Sequence, residues 1–238
     1  MNLRMMTMTT ALAMTAAIAG AQTAKTPARR GGTATAPARG RASTPNKAKL
    51  LTPAALNEKA PETFRVNLDT TKGPIVIEVH RDWAPFGADR FYNLVKNGFY
   101  DEARFFRVVP DFMAQFGING DPAVTGAWEK TVLKDDPVKQ SNKRGFVSYG
   151  NTGRPDSRGT QLFINYKDNS FLDAQRFAPF GEVVMGMEVA DKLNSEYGAA
   201  PQNEQGTIST QGNKFLMSKF PKLDYIRKAT IVKTPPPA

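Results

Sequence analysis

The sequence predicts a mainly β protein, a closed antiparallel barrel or sandwich that carries two helices. Three observations lead there. Two neighbouring runs alternate apolar and polar residues around a Lys72-Gly73-Pro74 turn. Several further short apolar runs follow, separated by turn residues. Only two stretches change to a helical period. Many short strands with few helices must close on themselves or stack to bury their apolar faces.

Phe64, Val66 and Leu68 alternate with Arg65 and Asn67, and Ile75, Ile77 and Val79 alternate with Val76, Glu78 and His80. That is the period of half-buried strands, and the turn between them makes a hairpin. His80 shares the Glu78 face and is expected to be exposed. Between Pro85 and Asn97 the period changes: Ala88, Phe91, Leu94 and Val95 lie on one helical face, and Gly98 stops the helix. Residues 105–109, 112–117, 145–149, 161–165 and 180–184 read as further strands. Residues 187–194 read as the second helix, with Val189, Ala190 and Leu193 inward. Residues 225–232 form a closing strand before Pro235-Pro236-Pro237.

The 238 residues allow one large domain with extensions. Residues 1–21 read as a secretory signal. Arg4 precedes an uncharged apolar run that ends in Ala19-Gly20-Ala21, a small-x-small cleavage site. Cleavage near Ala21 implies export to the periplasm or the extracellular space. The rival is an organellar transit peptide, since the first acidic residue is Glu58, but the apolar run precedes most of the arginines. Residues 22–61 are rich in Ala, Thr, Pro and basic residues and read as a disordered basic linker. Residues 62–233 are the globular domain, and residues 234–238 are a Pro-rich tail.

The net charge is +10, which by itself suggests an anionic partner. Residues 1–59 carry +8 of it and the rest of the chain only +2. The basic linker allows weak contact with an anionic surface. It has no aromatic residue to stack on bases, so no specific nucleic acid is expected. There is no cysteine and one histidine, His80. Disulfide scaffolds, thiol nucleophiles, Cys-ligated metals and His-pair zinc sites are therefore excluded. With no sustained heptad or apolar stripe, a monomer is expected.

Three segments are dense in particular residue types: 105–117, 145–165 and 171–181. Within them Arg107, Gln115 and Gln161 sit on otherwise apolar strands, and if buried they need partners. On the residues alone, Arg107 points to solvent or pairs with a carboxylate.

The series F-x-R-V-x-P-x-F-M-x-Q-x-G (105–117), G-x-V-S-x-x-N (145–151), T-Q-x-F-I-N (160–165), L-D (172–173) and F-G-x-V-x-x-G-M-x-V (180–189) resembles the cyclophilin family of peptidyl-prolyl cis-trans isomerases. The resemblance spans roughly residues 64–232. Residues 135–142, 212–213 and 220–226 resemble a bacterial-type branch with a longer C-terminal section. It implies a closed eight-stranded antiparallel barrel capped by two α-helices, with a peptide groove outside. It also implies catalytic roles for Arg107, Gln115 and Phe112. Substrate contacts fall on Met113, Gly150, Asn151, Gln161, Phe163, Phe171, Leu172 and Phe177. No cofactor or metal is implied, and the substrates are proline-containing stretches of unfolded or partly folded proteins. The pattern departs from the family at Phe171, where tryptophan is common, and at Phe106, where histidine is common. The groove histidine has no clean match, with Arg176 and Phe177 nearest. A non-catalytic proline-peptide-binding scaffold on the same barrel is the alternative reading, and a surface binder led by the basic tail is a third.

Overall fold

The computed structural model describes residues 47–232. The expected signal, residues 22–46 of the expected linker and residues 233–238 lie outside the described residues. In chain order the elements are α1 (Lys47–Leu50), β1 (Thr63–Thr70), β2 (Gly73–His80), α2 (Pro85–Lys96), β3 (Arg107–Val109), β4 (Met113–Phe116), α3 (Pro122–Trp128), β5 (Phe146–Tyr149), β6 (Leu162–Asn165), β7 (Pro179–Met185), α4 (Met187–Ala190), α5 (Gln205–Lys219) and β8 (Ile226–Val232). Short 3-10 turns lie at Pro53–Ala55, Ser170–Gln175 and Ala200–Glu204.

The alternation read in residues 64–80 is the β1–β2 hairpin, with Phe64 opposite Val79 and Leu68 opposite Ile75. All eight strands join one antiparallel sheet in the order β3-β4-β6-β5-β7-β2-β1-β8. Its inward residues bury against the apolar face of α2 (Ala88, Phe91, Leu94, Val95) in one core.

The sheet is not the closed barrel that the resemblance implied. Its end strands β3 and β8 form no ladder. The segment leading into β3 meets only the start of β8 and the residues before it, through an Arg104–Tyr225 bridge, a bond from Phe105 N–H to the Asp224 carbonyl at 2.9 Å, and bonds between Ile226 and Glu102 and Ala103 at 2.7 and 3.0 Å. The cause is local. The Val108 N–H donates to Gly198 O at 3.2 Å, so a loop occupies the free edge of β3. Pro110, which has no N–H, stops the strand after three residues.

Other expectations need correction. Residues 47–61 fall within the expected linker, but they form a strap packed on the sheet domain. Leu50 is 2% exposed, and its carbonyl accepts from the Trp128 indole N–H at 2.8 Å. The Glu58 and Ala60 N–H groups donate to Asn93 and Asp89 on α2, at 3.1 and 2.8 Å. One buried leucine and polar partners on a neighbouring helix suffice, and composition registers neither. The second helix is only the four residues of α4. His80 lies on the Glu78 face as read but is half-buried, stacked on Trp83 at 4.1 Å between ring centroids.

The unforeseen α5, through Ile208 and Leu216, and the turn after it, through Phe220 and Leu223, pack against Phe106 and Ile118 in a second apolar cluster. Phe106, where the family commonly has histidine, is thus an anchor for this helix. Arg158 is also buried, pairing with Asp136 at 3.0 Å. The same Asp136 carboxylate accepts from the Phe86 and Gly87 N–H groups in the first turn of α2. This knot pins the loop before β6, which forms one side of the groove described next.

Candidate active site

Strand parity sets the site. On β4, Ala114 and Phe116 face the core, so Met113 and Gln115 face outward. β3 pairs with β4 so that Arg107 stands opposite Gln115, and β6 places Phe163 opposite Gln115 on the other side. The Arg107 Nη1–H donates to Gln115 Oε1 at 3.3 Å. Gln115 Nε2 donates to Gln161 Oε1 at 3.0 Å, and Gln161 Nε2 to Gln205 Oε1 at 3.1 Å.

Beside this polar row lies a third apolar cluster, separate from the core. Met113, Phe163 and Leu172 are buried, and Val109, Phe112 and Phe177 pack against them. Phe177 meets Phe163 edge-on at 5.5 Å, and the Arg107 guanidinium lies 5.5 Å from the Phe112 ring centre. Pocket and polar row share one groove of about 390 Å³.

Of the two readings left open for Arg107, neither holds. It is half-buried in the groove, and no carboxylate lies within ion-pair distance among the described residues. Its Nε–H is buried without a partner. Burial pulls the guanidinium pKa below its ordinary value. An arginine bound by one neutral amide retains donors for something else.

The loop carrying Leu172 and Phe177 is held by Asp173. Its carboxylate accepts from Ser141 Oγ at 2.5 Å and from the Asn142 N–H and side-chain amide at 2.9 and 2.7 Å. Burial works against ionisation of Asp173, but these hydrogen bonds outweigh it and hold the pKa below the ordinary carboxylate value. Arg176 turns through a left-handed backbone (φ 65°), and its guanidinium donates to Gly153 O, leaving Phe177 in the pocket.

Every expected site residue lines the groove except Phe171. Phe171 is 56% exposed and only stacks on Phe112 from outside, at 6.2 Å. At Gly150 a Cβ would touch Gln115 Nε2 at 3.6 Å, so a small residue leaves that amide its place. Both ends of the Asn151 side chain are occupied: it donates to Gln175 O and accepts from the Gly153 N–H. Sequence reasoning missed the wall made by Trp128 and Glu129 at the end of α3, and by Gln202, Gln205 and Ser209 at and near the start of α5. The α3 signal was available in Asp121-Pro122, where the Asp121 side chain caps the Ala123 N–H.

A family model described as cyclophilin type peptidyl-prolyl cis-trans isomerase/CLD matches residues 64–213. The chain belongs to this family. It is a peptidyl-prolyl cis-trans isomerase of the cyclophilin type. A peptidyl-prolyl cis-trans isomerase of Acinetobacter baylyi is 39% identical over 163 residues, covering 61% of this chain and 84% of the relative. Peptidyl-prolyl cis-trans isomerase A of Dickeya dadantii is 38% identical over 139 residues, covering 57% and 73%. The fold resembles that of a Cryptosporidium parvum cyclophilin type isomerase, with a TM-score of 0.55, 21% identity and coverage of 73% of this chain and 99% of that one. That protein was also solved in the presence of the dipeptide Ala-Pro, with a TM-score of 0.52 to this cyclophilin, 21% identity and coverage of 71% and 99%.

Proposed function

We propose that this isomerase accelerates rotation about X–Pro bonds by offering the Arg107 guanidinium to the proline nitrogen of the twisted amide. The planar bond is held by resonance with a barrier of ~18–20 kcal/mol, and uncatalysed rotation takes roughly tens to hundreds of seconds. Millisecond turnover needs a factor of about 10⁴–10⁵, or ~6 kcal/mol. At the twisted state the nitrogen becomes pyramidal and regains a lone pair. An N–H donor aimed there meets an acceptor that the planar ground state lacks, which is differential binding of the transition state.

The observation that carries this reading is Arg107 itself, half-buried at an apolar pocket, without a carboxylate partner and with an unpartnered Nε–H. One preorganised donor supplies ~2.7–4 kcal/mol. The remainder falls to the pocket of Phe112, Met113, Phe163 and Leu172, which grips the ring and removes water from the amide. Gln115 holds Arg107 and bonds the peptide carbonyl, and the Asn151 main chain meets the substrate backbone. No proton transfer or nucleophile enters the scheme. The substrates are proline-containing segments of unfolded or partly folded polypeptides. The chain acts as a monomer outside the cytoplasm, after removal of residues 1–21, and its basic linker makes at most weak contact with anionic surfaces.

A scaffold that binds proline without turning it over would not need Arg107, Gln115 and Phe112 together. A protease-coupled assay on an Ala-Pro peptide with wild type and Arg107→Ala tests the mechanism. Loss of activity in a folded variant is expected, and equal activity of the two would refute it.

A further inference from the structure

The row of side-chain amides does not end at Gln161, and its last member comes from α5, beyond the three motif segments at residues 105–117, 145–165 and 171–181. Gln205 opens α5 and accepts from Gln161 Nε2 at 3.1 Å through its Oε1. Gln115 and Gln161 each accept with the oxygen and donate with the nitrogen, in a row that runs from Arg107 to the Gln205 oxygen. A primary amide has two different ends and can turn over by half a rotation. If Gln161 turned over, its NH₂ would face the NH₂ of Gln115. Gln115 would then lose its partner, or turn and withdraw the oxygen that holds Arg107. Arg107 has only donors and so sets the direction at one end, and the Gln205 oxygen supplies the acceptor that this direction requires at the other.

The helix bearing that acceptor is fastened to the catalytic strands. Phe106, next to Arg107, and Ile118, just past β4, are buried with Ile208, Leu216, Phe220 and Leu223. Gly212 takes a left-handed backbone (φ 60°), and a Cβ there would collide with the Gly120 carbonyl. The Asn213 N–H donates to Gly120 O at 3.0 Å, and its side-chain amide to Glu102 O at 3.0 Å. α5 therefore keeps a set distance from β3 and β4 while placing Gln205 in the groove.

We propose that Gln205 is a positioning residue for the isomerase reaction: its side-chain oxygen orients the Gln161 and Gln115 amides and, through them, the Arg107 guanidinium. The inference rests on the reading of Arg107 as the transition-state donor.

The test is steady-state kinetics on an Ala-Pro peptide with the full chain, using Gln205→Leu, Gln205→Glu, Gln161→Leu, the Gln161→Leu/Gln205→Leu double variant, and Arg107→Ala as reference. Gln205→Leu should lower kcat about 3- to 10-fold, the scale of one misaligned hydrogen bond. KM should stay within about twofold, because ground-state contacts are kept. Gln205→Glu should recover most of the loss, since its carboxylate still accepts from Gln161 Nε2. Adding Gln205→Leu to Gln161→Leu should cost nothing further, because the path through Gln161 is already cut. The Gln115 side-chain NH₂ resonances should shift or broaden in Gln205→Leu and return in Gln205→Glu. If Gln205→Leu lowers the melting temperature, Gln205→Ala takes its place. Unchanged kcat in Gln205→Leu, equal losses in the Leu and Glu variants, or additive losses in the double variant would each overturn the positioning role. Wild-type activity in Arg107→Ala would instead overturn the reading beneath it.

Discussion

At the scale of single residues, the groove separates two kinds of contact. The pocket side chains touch the proline ring whether the amide is planar or twisted, whereas Arg107 gains an acceptor only on twisting. The two should differ kinetically. Phe163→Ala removes ring contact worth ~1 kcal/mol in both states, so KM should rise about 3- to 10-fold, and kcat should fall by a smaller factor as water returns to the amide. Progress curves over a range of peptide concentrations check this, and a fall confined to kcat would contradict it. Met113, Gln115, Gln161 and Phe163 were legible because strand alternation fixes which side chains leave the core together. Arg107 was placed on its strand by the same parity, but its lack of a counter-ion became visible only when the carboxylates had positions. Phe171 was misplaced because a motif position says nothing of exposure: it lies outside the groove while its neighbour Leu172 lies within. Gln205 left no local signal, since its partner is Gln161, distant in sequence.

At the scale of elements, the pocket's outer wall is the 3-10 turn Ser170–Gln175, held through Asp173. The Asp173 pKa is depressed in the folded chain. Its contribution to stability is therefore fully present above the unfolded value of about 3.9 and is lost as pH falls through the lower folded value. Asp173→Asn should lower the melting temperature at neutral pH, and the gap from wild type should narrow as pH drops below about 4. Thermal melts of both proteins from pH 7 to 3 check this, and a gap that stays constant or widens on acidification would contradict it. α2 was legible because its apolar positions recur at 3.6 and a glycine follows it. α5 was not. It carries Gly206 and Gly212, β-branched residues at 207, 208 and 210, and a break at Gly212, so its helical pattern is erased even though Ile208 and Leu216 are buried. Its stability comes from docking on Phe106 and Ile118, a tertiary effect.

At the scale of the whole molecule, the charge and the chemistry fall on different stretches of the sequence. Residues 1–59 hold +8 of the net +10, and the charged residues lining the groove are Arg107 and Glu129, of opposite sign. Turnover of a short uncharged Ala-Pro peptide should therefore not depend on long-range steering. Its kcat/KM should change by less than about twofold between low and moderate salt. A steep fall with salt would tie the N-terminal charge to catalysis. Strand content and order of the motifs were readable from the sequence. Closure was not, because it depends on Gly198, a loop residue that occupies the edge of β3. The strap at residues 47–61 also escaped notice, since a single buried Leu50 and bonds to α2 and Trp128 hold it.

The account turns on Arg107 acting on the twisted amide and not on the bound peptide. The most direct measurement takes wild type and Arg107→Ala and records two quantities on the same Ala-Pro peptide: the catalysed cis-trans exchange rate by NMR exchange spectroscopy and the dissociation constant by titration. The exchange rate should fall about 10²- to 10³-fold, the cost of one lost preorganised donor, while the dissociation constant changes by less than about threefold. Exchange that persists in the variant, or a loss matched in full by weaker binding, would contradict it.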